Sequence, residues 1–345
     1  MNRKALTALF ATLAVAGCTL APDYQQPASP VPDTAGDDNR VAEELVLPGW
    51  EALFQDPQLQ QLIRTALSNN RDLRLALLDV AEARAQYRIE GAALYPELSV
   101  DGDGSRQRLP ADLSQTGDSE IQTQYSVGLG VAAYEVDLFG RLRSLKQSAL
   151  QQYLATEEAR RSAHITLVSE VANAYLTLQA DRRNLRISRE TVEAQQESVD
   201  LVKGRFDMGL GSELEVRQAE VALETARANQ ARFKRLVAQD RNALAVLVGA
   251  PLPPLPDSQA EDLDTELAAL PEIPAGVPSA VLRPRPDNQQ AEYSLQAANA
   301  NIGAARAAFF PRIALTGSAG TASSELSGLF DSGSESWSFS PSISL

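Results

Sequence analysis

The chain has 345 residues, enough for one large domain or two ordinary ones, and it is acidic, with 31 Lys and Arg against 45 Asp and Glu and a net charge of −14. A nucleic-acid binder needs a basic footprint, and none is present. Aromatics make up only 6% of the residues, and the abundance of Ala, Leu, Gln, Glu and Arg favours long helices over a thick aromatic core.

Residues 1–17 read as a signal peptide. Asn2-Arg3-Lys4 is a basic start, and the apolar run 5–16 is shorter than the ~20 residues that a spanning helix needs. It ends in Val15-Ala16-Gly17-Cys18, which has the form of a bacterial lipobox. Cys18 is then the candidate lipid-attachment site, and as the only cysteine it leaves no disulfide within one chain. Several acyl chains anchor firmly where one gives marginal binding. Thr19 follows, and the absence of Asp there favours the outer membrane over the inner. Residues 18–50, rich in Pro, Asp and Gly, read as a lipidated tether, and 51–95 as helices. No later stretch approaches 18 consecutive apolar residues, so any crossing of a membrane must use β-strands.

One stretch is said twice. AALYPELSVDG at 92–102 returns as AAFFPRIALTG at 307–317, an offset of 215 that also pairs Asp72 with Asp287, Ala83 with Ala298 and Ala85 with Ala300. A period this long is a duplicated half-protein and no short solenoid repeat. In each copy a helical rhythm turns into a strand rhythm. Ala291, Leu295, Ala298, Ile302, Ala305 and Phe309 step by four and three. After the aromatic-Pro pair, Leu98, Val100 and Gly102, like Ile313, Leu315 and Gly317, alternate with small or polar residues. Pro96 and Pro311 end the helices, because proline lacks the N–H and disfavours helical geometry just before it.

A second alternating run follows each first one: Tyr125, Val127, Leu129, Val131 and Ala133, then Trp337, Phe339, Pro341, Ile343 and Leu345. The polar stretches 106–122 and 321–336 read as the loops between. Residues 96–137 and 311–345 are thus two hairpins with one apolar and one small or polar face, and their strands exceed the ~9–11 residues that cross a bilayer. This is the outer-membrane barrel pattern; a soluble hairpin with one buried face is the alternative. Tyr95, Tyr125, Phe309, Phe310, Trp337 and Phe339 are candidate membrane-interface aromatics, since such rings collect at headgroup level.

Between the hairpins, 138–248 reads as a long helical hairpin. No Gly or Pro occurs from 142 to 203, and Val171, Leu178, Leu185, Val192, Val199 and Phe206 recur every seventh residue, the spacing of supercoiled helices. A helix over 142–205 is ~96 Å long. Gly209 and Gly211 then break it, Ser212 can cap the next helix, and Glu215 sits three later as its capping-box partner. The return helix 213–248 spans ~54 Å, and a further helix over 288–310 adds ~35 Å after the irregular connector 249–287. The descending rod nearly equals the two ascending pieces, which draws a tall helical hairpin hung from a barrel. Leu345 aligns with Ala133, whose copy runs on into the long helix. The expectation is an incomplete product that lacks its second long hairpin and does not by itself assemble a working pore.

Catalysis has little support. The single His, His164, falls on the long helix one heptad before Val171, no Cys nucleophile remains, and no phosphate loop or His/Cys cluster for a metal appears. No cofactor is implied. Scattered carboxylates on long helices are solvated faces.

Four stretches resemble the outer membrane factor family, the TolC-like channels, and within it the NodT-type lipoproteins of RND-type multidrug efflux systems. LPGWEALFQDPQLQQLI (47–63) is similar to the family's opening, YEVDLFGRLRS (134–144) to its strand-to-helix junction, RFDMGLGSELEVRQAE (205–220) to its periplasmic tip, and GVPSAVLRPRPDNQQAE (276–292) to its entry into the second repeat. In the last, Ala280 stands where an acid is common and Pro284 where Arg is common. The resemblance covers nearly the whole chain. It implies a mixed α/β membrane protein with internal duplication. Four strands per protomer would form a trimeric barrel, joined to a long periplasmic α-helical coiled-coil barrel. It further implies a passive exit duct in the Gram-negative outer membrane. The partners would be a periplasmic membrane-fusion adaptor, an inner-membrane RND-type pump and outer-membrane lipid. Met208, Gly209, Leu210, Gly211 and Ser212 would meet the adaptor, and Asp207, Glu213 and Glu215 are candidate acids of a closed, cation-selective aperture. A periplasmic coiled-coil adaptor and a structural envelope lipoprotein, neither with a pore, are the alternatives.

Overall fold

The computed structural model describes residues 19–28, 49–114, 117–254 and 279–345. Cys18, the signal peptide, most of the tether and 255–278 of the connector lie outside the described residues. The chain divides into two compact units. One consists of Met1–Ala28, Val80–Glu157 and Gln289–Leu345, the other of Ser29–Asp79 and Glu158–Asn288.

The second unit is helical. It contains α1 (Trp50–Leu53), α2 (Pro57–Asn69), the start of α3 (Arg71–Ala92), most of α4 (Arg141–Asp207) and all of α5 (Glu213–Val248). At 67 residues α4 is ~100 Å long. The sevenfold spacing has its physical meaning here. Val171, Leu178, Leu185 and Val199 are buried, and on α5 so are Val216, Leu223 and Leu244. Val192 is half-buried and Phe206 is exposed near the helix end. The core joins Leu59, Leu62, Ile63 and Ala66 of α2 to Val171, Tyr175 and Leu178 of α4 and Leu244 and Val248 of α5.

Local chemistry locks that core. Pro57 opens α2 at a position where its missing N–H costs nothing, and the Asp56 side chain accepts from the Gln58 N–H at 2.7 Å. The buried Tyr175 hydroxyl donates to the Asp56 carboxylate, so a helix cap and the core share one hydrogen-bond chain. Asn70 ties α2, α3 and α5 together: its Nδ2 donates to Leu247 O at 2.9 Å, and its Oδ1 accepts from Leu73 N at 2.8 Å. Gly249 ends α5 at φ 69, and a Cβ there would lie 2.7 Å from Asn69 O. Only glycine meets both demands.

The first unit is built on one antiparallel sheet, in the order β1 (Leu98–Leu109), β2 (Glu120–Glu135), β3 (Arg312–Ser323) and β4 (Glu335–Ser344). The duplication is visible in its parts: α3 and α6 (Pro286–Ala307) each have 22 residues, and β1 and β3 each have 12. The described part of the tether lies along α6. Leu20 O accepts from Arg306 Nη1 at 3.2 Å, and Pro22 O accepts from Asn299 Nδ2 at 2.8 Å. Gly303 makes the approach possible, since a Cβ there would fall 2.7 Å from that of Ala21. Among the described residues no helix is long and apolar enough to cross a membrane.

Three expectations need correction. The stretches taken as loops are partly strand: β1 runs on to Leu109, β2 begins at Glu120, β3 ends at Ser323 and β4 begins at Glu335. Ladder hydrogen bonds continue through Arg106, Gln107 and Arg108, whose polarity alone suggested a loop. The alternation of β2 stops at Val131. There the pairing with β3 jumps from Val131↔Gly317 to Tyr134↔Leu315, which leaves one extra residue on β2, and Ala133 takes φ 50. Finally α6 ends at Ala307, so Phe309 and Phe310 lie in the turn that follows.

One carboxyl in the helical unit should report on pH. Burial first, and then the neighbouring Asp181 carboxylate, push the Asp240 carboxyl above its ordinary range. The Asp240 Oδ2 is buried without a hydrogen bond. The fold thus holds this proton more tightly than the unfolded chain does. The site favours the fold below the ordinary carboxyl pKa of about 4, and works against it as pH rises through the raised value. Asp240→Asn removes the charge and keeps a donor for Asp181. Its melting temperature is expected to exceed the parent's at neutral pH, with the gap closing toward pH ~4 in circular-dichroism melts.

Candidate functional site

The sheet carries two unlike faces. Pairing places Leu98, Val100 and Gly102 of β1 level with Val131, Leu129 and Val127 of β2. These continue onto Gly317, Ala319 and Thr321 of β3, and then Phe339, Trp337 and Glu335 of β4. The opposite face holds Ser99, Asp101 and Asp103, then Ser126 and Gly128, then Ser318, and a row of serines from Ser336 to Ser344. Leu98, Val100, Leu129, Trp337, Phe339 and Ile343 are all exposed. Side chains of this size gain ~1.5–3 kcal/mol each when removed from water. Strands of 12, 16, 12 and 10 residues are long enough to span hydrocarbon.

The candidate interface aromatics fall into two groups along the strands. Tyr95 (73% exposed), Phe309 (84%) and Phe310 precede β1 and β3 at one end of the sheet. Tyr125 and Trp337 stand near the starts of β2 and β4 at the other end, and Phe339 sits one pair further in. Phe310 also stacks on Phe139, with ring centroids 4.6 Å apart.

At the first end lies an ionic junction to which no roles were assigned from the sequence. Buried Glu135, the last residue of β2, accepts from Arg141 Nε and Nη2 at 2.7 Å each and pairs with Arg312 at 2.6 Å. Asp137 accepts from the backbone N–H of Leu142 at 3.2 Å and of Arg143 at 3.0 Å, capping α4, and also pairs with the Arg143 side chain at 3.1 Å. Gly140, at φ 74, makes the turn between them. The signal was present in the sequence: each acid is followed six residues later by an arginine.

In the helical unit the tip is a tight turn. Gly209 takes φ 76, and Leu210 N donates to Arg205 O at 2.8 Å. The capping box forms in full. Ser212 Oγ accepts from Glu215 N at 3.3 Å, and Glu215 Oε2 accepts from Ser212 N at 3.0 Å. Gly211 leaves room for it, since a Cβ there would meet Glu215 Oε2 at 3.1 Å. Of the three candidate aperture acids, Glu215 is thus engaged in the cap, Glu213 pairs with Arg217 at 3.2 Å, and Asp207 is exposed at the end of α4. Met208 and Leu210 project with 68% and 66% of their surface exposed. Behind them Lys203 and Arg217 both hold Glu220, at 2.8 and 2.9 Å, and keep its carboxyl below the usual range. His164 is half-buried on α4, and no cluster that could hold a metal occurs among the described residues.

The chain matches the family described as outer membrane efflux protein over residues 62–250 and 277–345. The probable efflux pump outer membrane protein TtgC of Pseudomonas putida is 48% identical over 355 residues, covering 100% of this chain and 72% of that protein. The outer membrane protein OprJ of Pseudomonas aeruginosa is 44% identical, covering 99% and 71%. The crystal structure of the open state of the MtrE outer membrane channel of Neisseria gonorrhoeae is similar with a TM-score of 0.81 at 40% identity, covering 95% of this chain and 72% of that one.

The junction sets a measurable cost. Glu135→Gln removes the charge that Arg141 and Arg312 share, and is expected to lower stability by about 2 kcal/mol in denaturant titrations. Ser212→Ala, which deletes the cap at the tip, is expected to cost about 1 kcal/mol by the same measurement.

Proposed function

The chain belongs to the outer membrane efflux protein family, the outer-membrane channels of tripartite efflux pumps in Gram-negative bacteria. On that premise we propose that three copies share one twelve-stranded barrel, anchored through Cys18 and turning the helical tip toward a periplasmic adaptor. The observation that carries this reading is the four-stranded sheet itself. It has one continuous apolar face, and β1 and β4 each pair on one side only. Four strands cannot enclose a pore, and open edges are not tolerated in lipid. Copies of the chain supply the missing neighbours with the same backbone. A coiled-coil adaptor or a structural lipoprotein has no use for such a sheet.

The apolar face then meets lipid and the serine-rich face lines the duct, where Asp101 and Asp103 add negative charge. In the whole channel drugs and other small molecules pass along this duct passively, and the inner-membrane RND-type pump supplies the energy. At the tip, exposed Met208 and Leu210 around Gly209, Gly211 and Ser212 form the adaptor contact, because apolar side chains on so small a turn gain only by being covered. Asp207, with Glu213 and Glu215 behind it, gives the aperture its negative charge.

Unheated in denaturing detergent, the protein is expected to migrate as an assembly of three 37.1 kDa chains and to collapse to one on boiling. A single-chain band without heating would sink the shared barrel. Leu210→Asp is expected to abolish in-cell crosslinking to the adaptor while leaving that heat-sensitive band unchanged; crosslinking at the parent level would remove the tip from the contact.

A further inference from the structure

Three basic side chains occur in the four strands: Arg106 and Arg108 of β1 and Arg312 of β3. Arg312, at the helix end of the sheet, pairs with Glu135. Arg106 and Arg108 stand at the opposite end, level with Thr123 and Ile121, and this register puts them on the face of Leu98, Val100 and Leu129. Both are exposed. Arg108 Nη2 donates to Ser119 Oγ at 3.2 Å, and the Arg106 guanidinium has no partner among the described residues.

A cation on a face turned to lipid is costly except at the edge of the hydrocarbon. Arg106 and Arg108 lie eight and ten residues beyond Leu98. At ~3.4 Å per residue and a strand tilt of ~35–45°, they stand ~21 and ~26 Å above it, against an apolar band ~25 Å tall. Tyr125, of a residue type that gathers at head-group level, sits just below them. It pairs with Gly104, where a Cβ would meet its ring at 3.3 Å. The two guanidinium groups therefore emerge among the head groups of the leaflet far from the helices.

We propose that Arg106 and Arg108 bind a glycolipid bearing phosphate monoesters in the outer leaflet, through its phosphate; this rests on the reading that the apolar face of a shared barrel meets lipid. Two residues apart on one strand face, the side chains start ~7 Å from each other. Each presents a planar fork of N–H donors that matches phosphate oxygens. A phosphate monoester carries about two negative charges and suits two such forks. A zwitterionic head group brings its own cation to compete for that phosphate. Nearby acids leave the forks free. Asp101, Asp103 and Glu120 lie on the opposite face, and Glu335, the strand acid on the lipid side of this end, opens the far edge strand β4. Below the arginines, exposed Val100 and Leu129 continue the same face and offer the acyl chains a surface.

Titration of fluorescent lipid A, a glycolipid with phosphate monoesters, into the full chain delipidated in nonionic detergent tests the site. Arg106→Gln with Arg108→Gln is expected to weaken binding at least about tenfold. Arg106→Lys with Arg108→Lys is expected to fall between, since lysine keeps the charge and loses the fork. Lipid A stripped of its phosphates, and phosphatidylethanolamine, are expected to bind the parent no better than lipid A binds the Gln variant. Light scattering in the same detergent reports whether each protein is assembled. An assembled Gln variant that binds lipid A as the parent does overturns the proposal and leaves the shared barrel standing. So does a parent that binds the phosphate-free glycolipid equally well, or one from which inorganic phosphate displaces lipid A, the mark of a free-phosphate site. A parent that is monomeric by light scattering overturns the shared barrel and this site with it.

Discussion

A backbone amide or carbonyl in hydrocarbon has no water to bond, and each one left unpaired costs several kcal/mol. The rest of this molecule follows from that constraint. It forces the membrane part into strands, since no described helix is apolar enough to cross alone. It also means that a sheet with β1 and β4 at its edges is unfinished as a single chain. Side-chain chemistry then sorts itself by face. Leucine, valine and the aromatic rings stand on one side, serine and aspartate on the other, and the pleat delivers both from one alternating sequence.

The second problem is the passage from strand to helix. A strand leaving the sheet carries its last peptide groups toward a helix whose first four N–H groups need acceptors. Here Asp137 supplies two of those acceptors, Gly140 the left-handed turn, and Glu135 a buried anion that holds Arg141 of the same junction and Arg312 of the second copy. The duplication has diverged at this point: the counterpart of Arg312 in the first copy is Glu97. The two halves therefore meet through opposite charges, where strict repetition would have set like against like.

Much of the fold was legible because its signals are local. The sevenfold run of Val171, Leu178, Leu185 and Val199 is buried, and Ser212 with Glu215 forms the capping box that their spacing implied. The misreadings share a cause. Arg106 to Arg108 read as loop because polarity was taken for lack of structure, yet a strand that runs past the apolar band keeps its ladder bonds while its side chains turn polar. Ala133 continued the alternation on paper, and only the partner strand shows that β2 holds one residue more than β3 can match. The pairing of Glu213 with Arg217 beside that turn depends on rotamers, which spacing does not report.

The sequence by itself determined the kinds of element, the duplication, the two-faced strands and the break at Gly209, because periodicity, proline and glycine act on the chain within a few residues. The tertiary structure alone decided the register of β2 on β3, the bulge at Ala133, the Glu135–Arg312 pair and the Tyr175–Asp56 bond that closes the helical core. Those contacts join residues more than a hundred positions apart, and such a pairing is selected by which backbone groups and charges the fold leaves unsatisfied, a quantity that no local stretch of sequence contains.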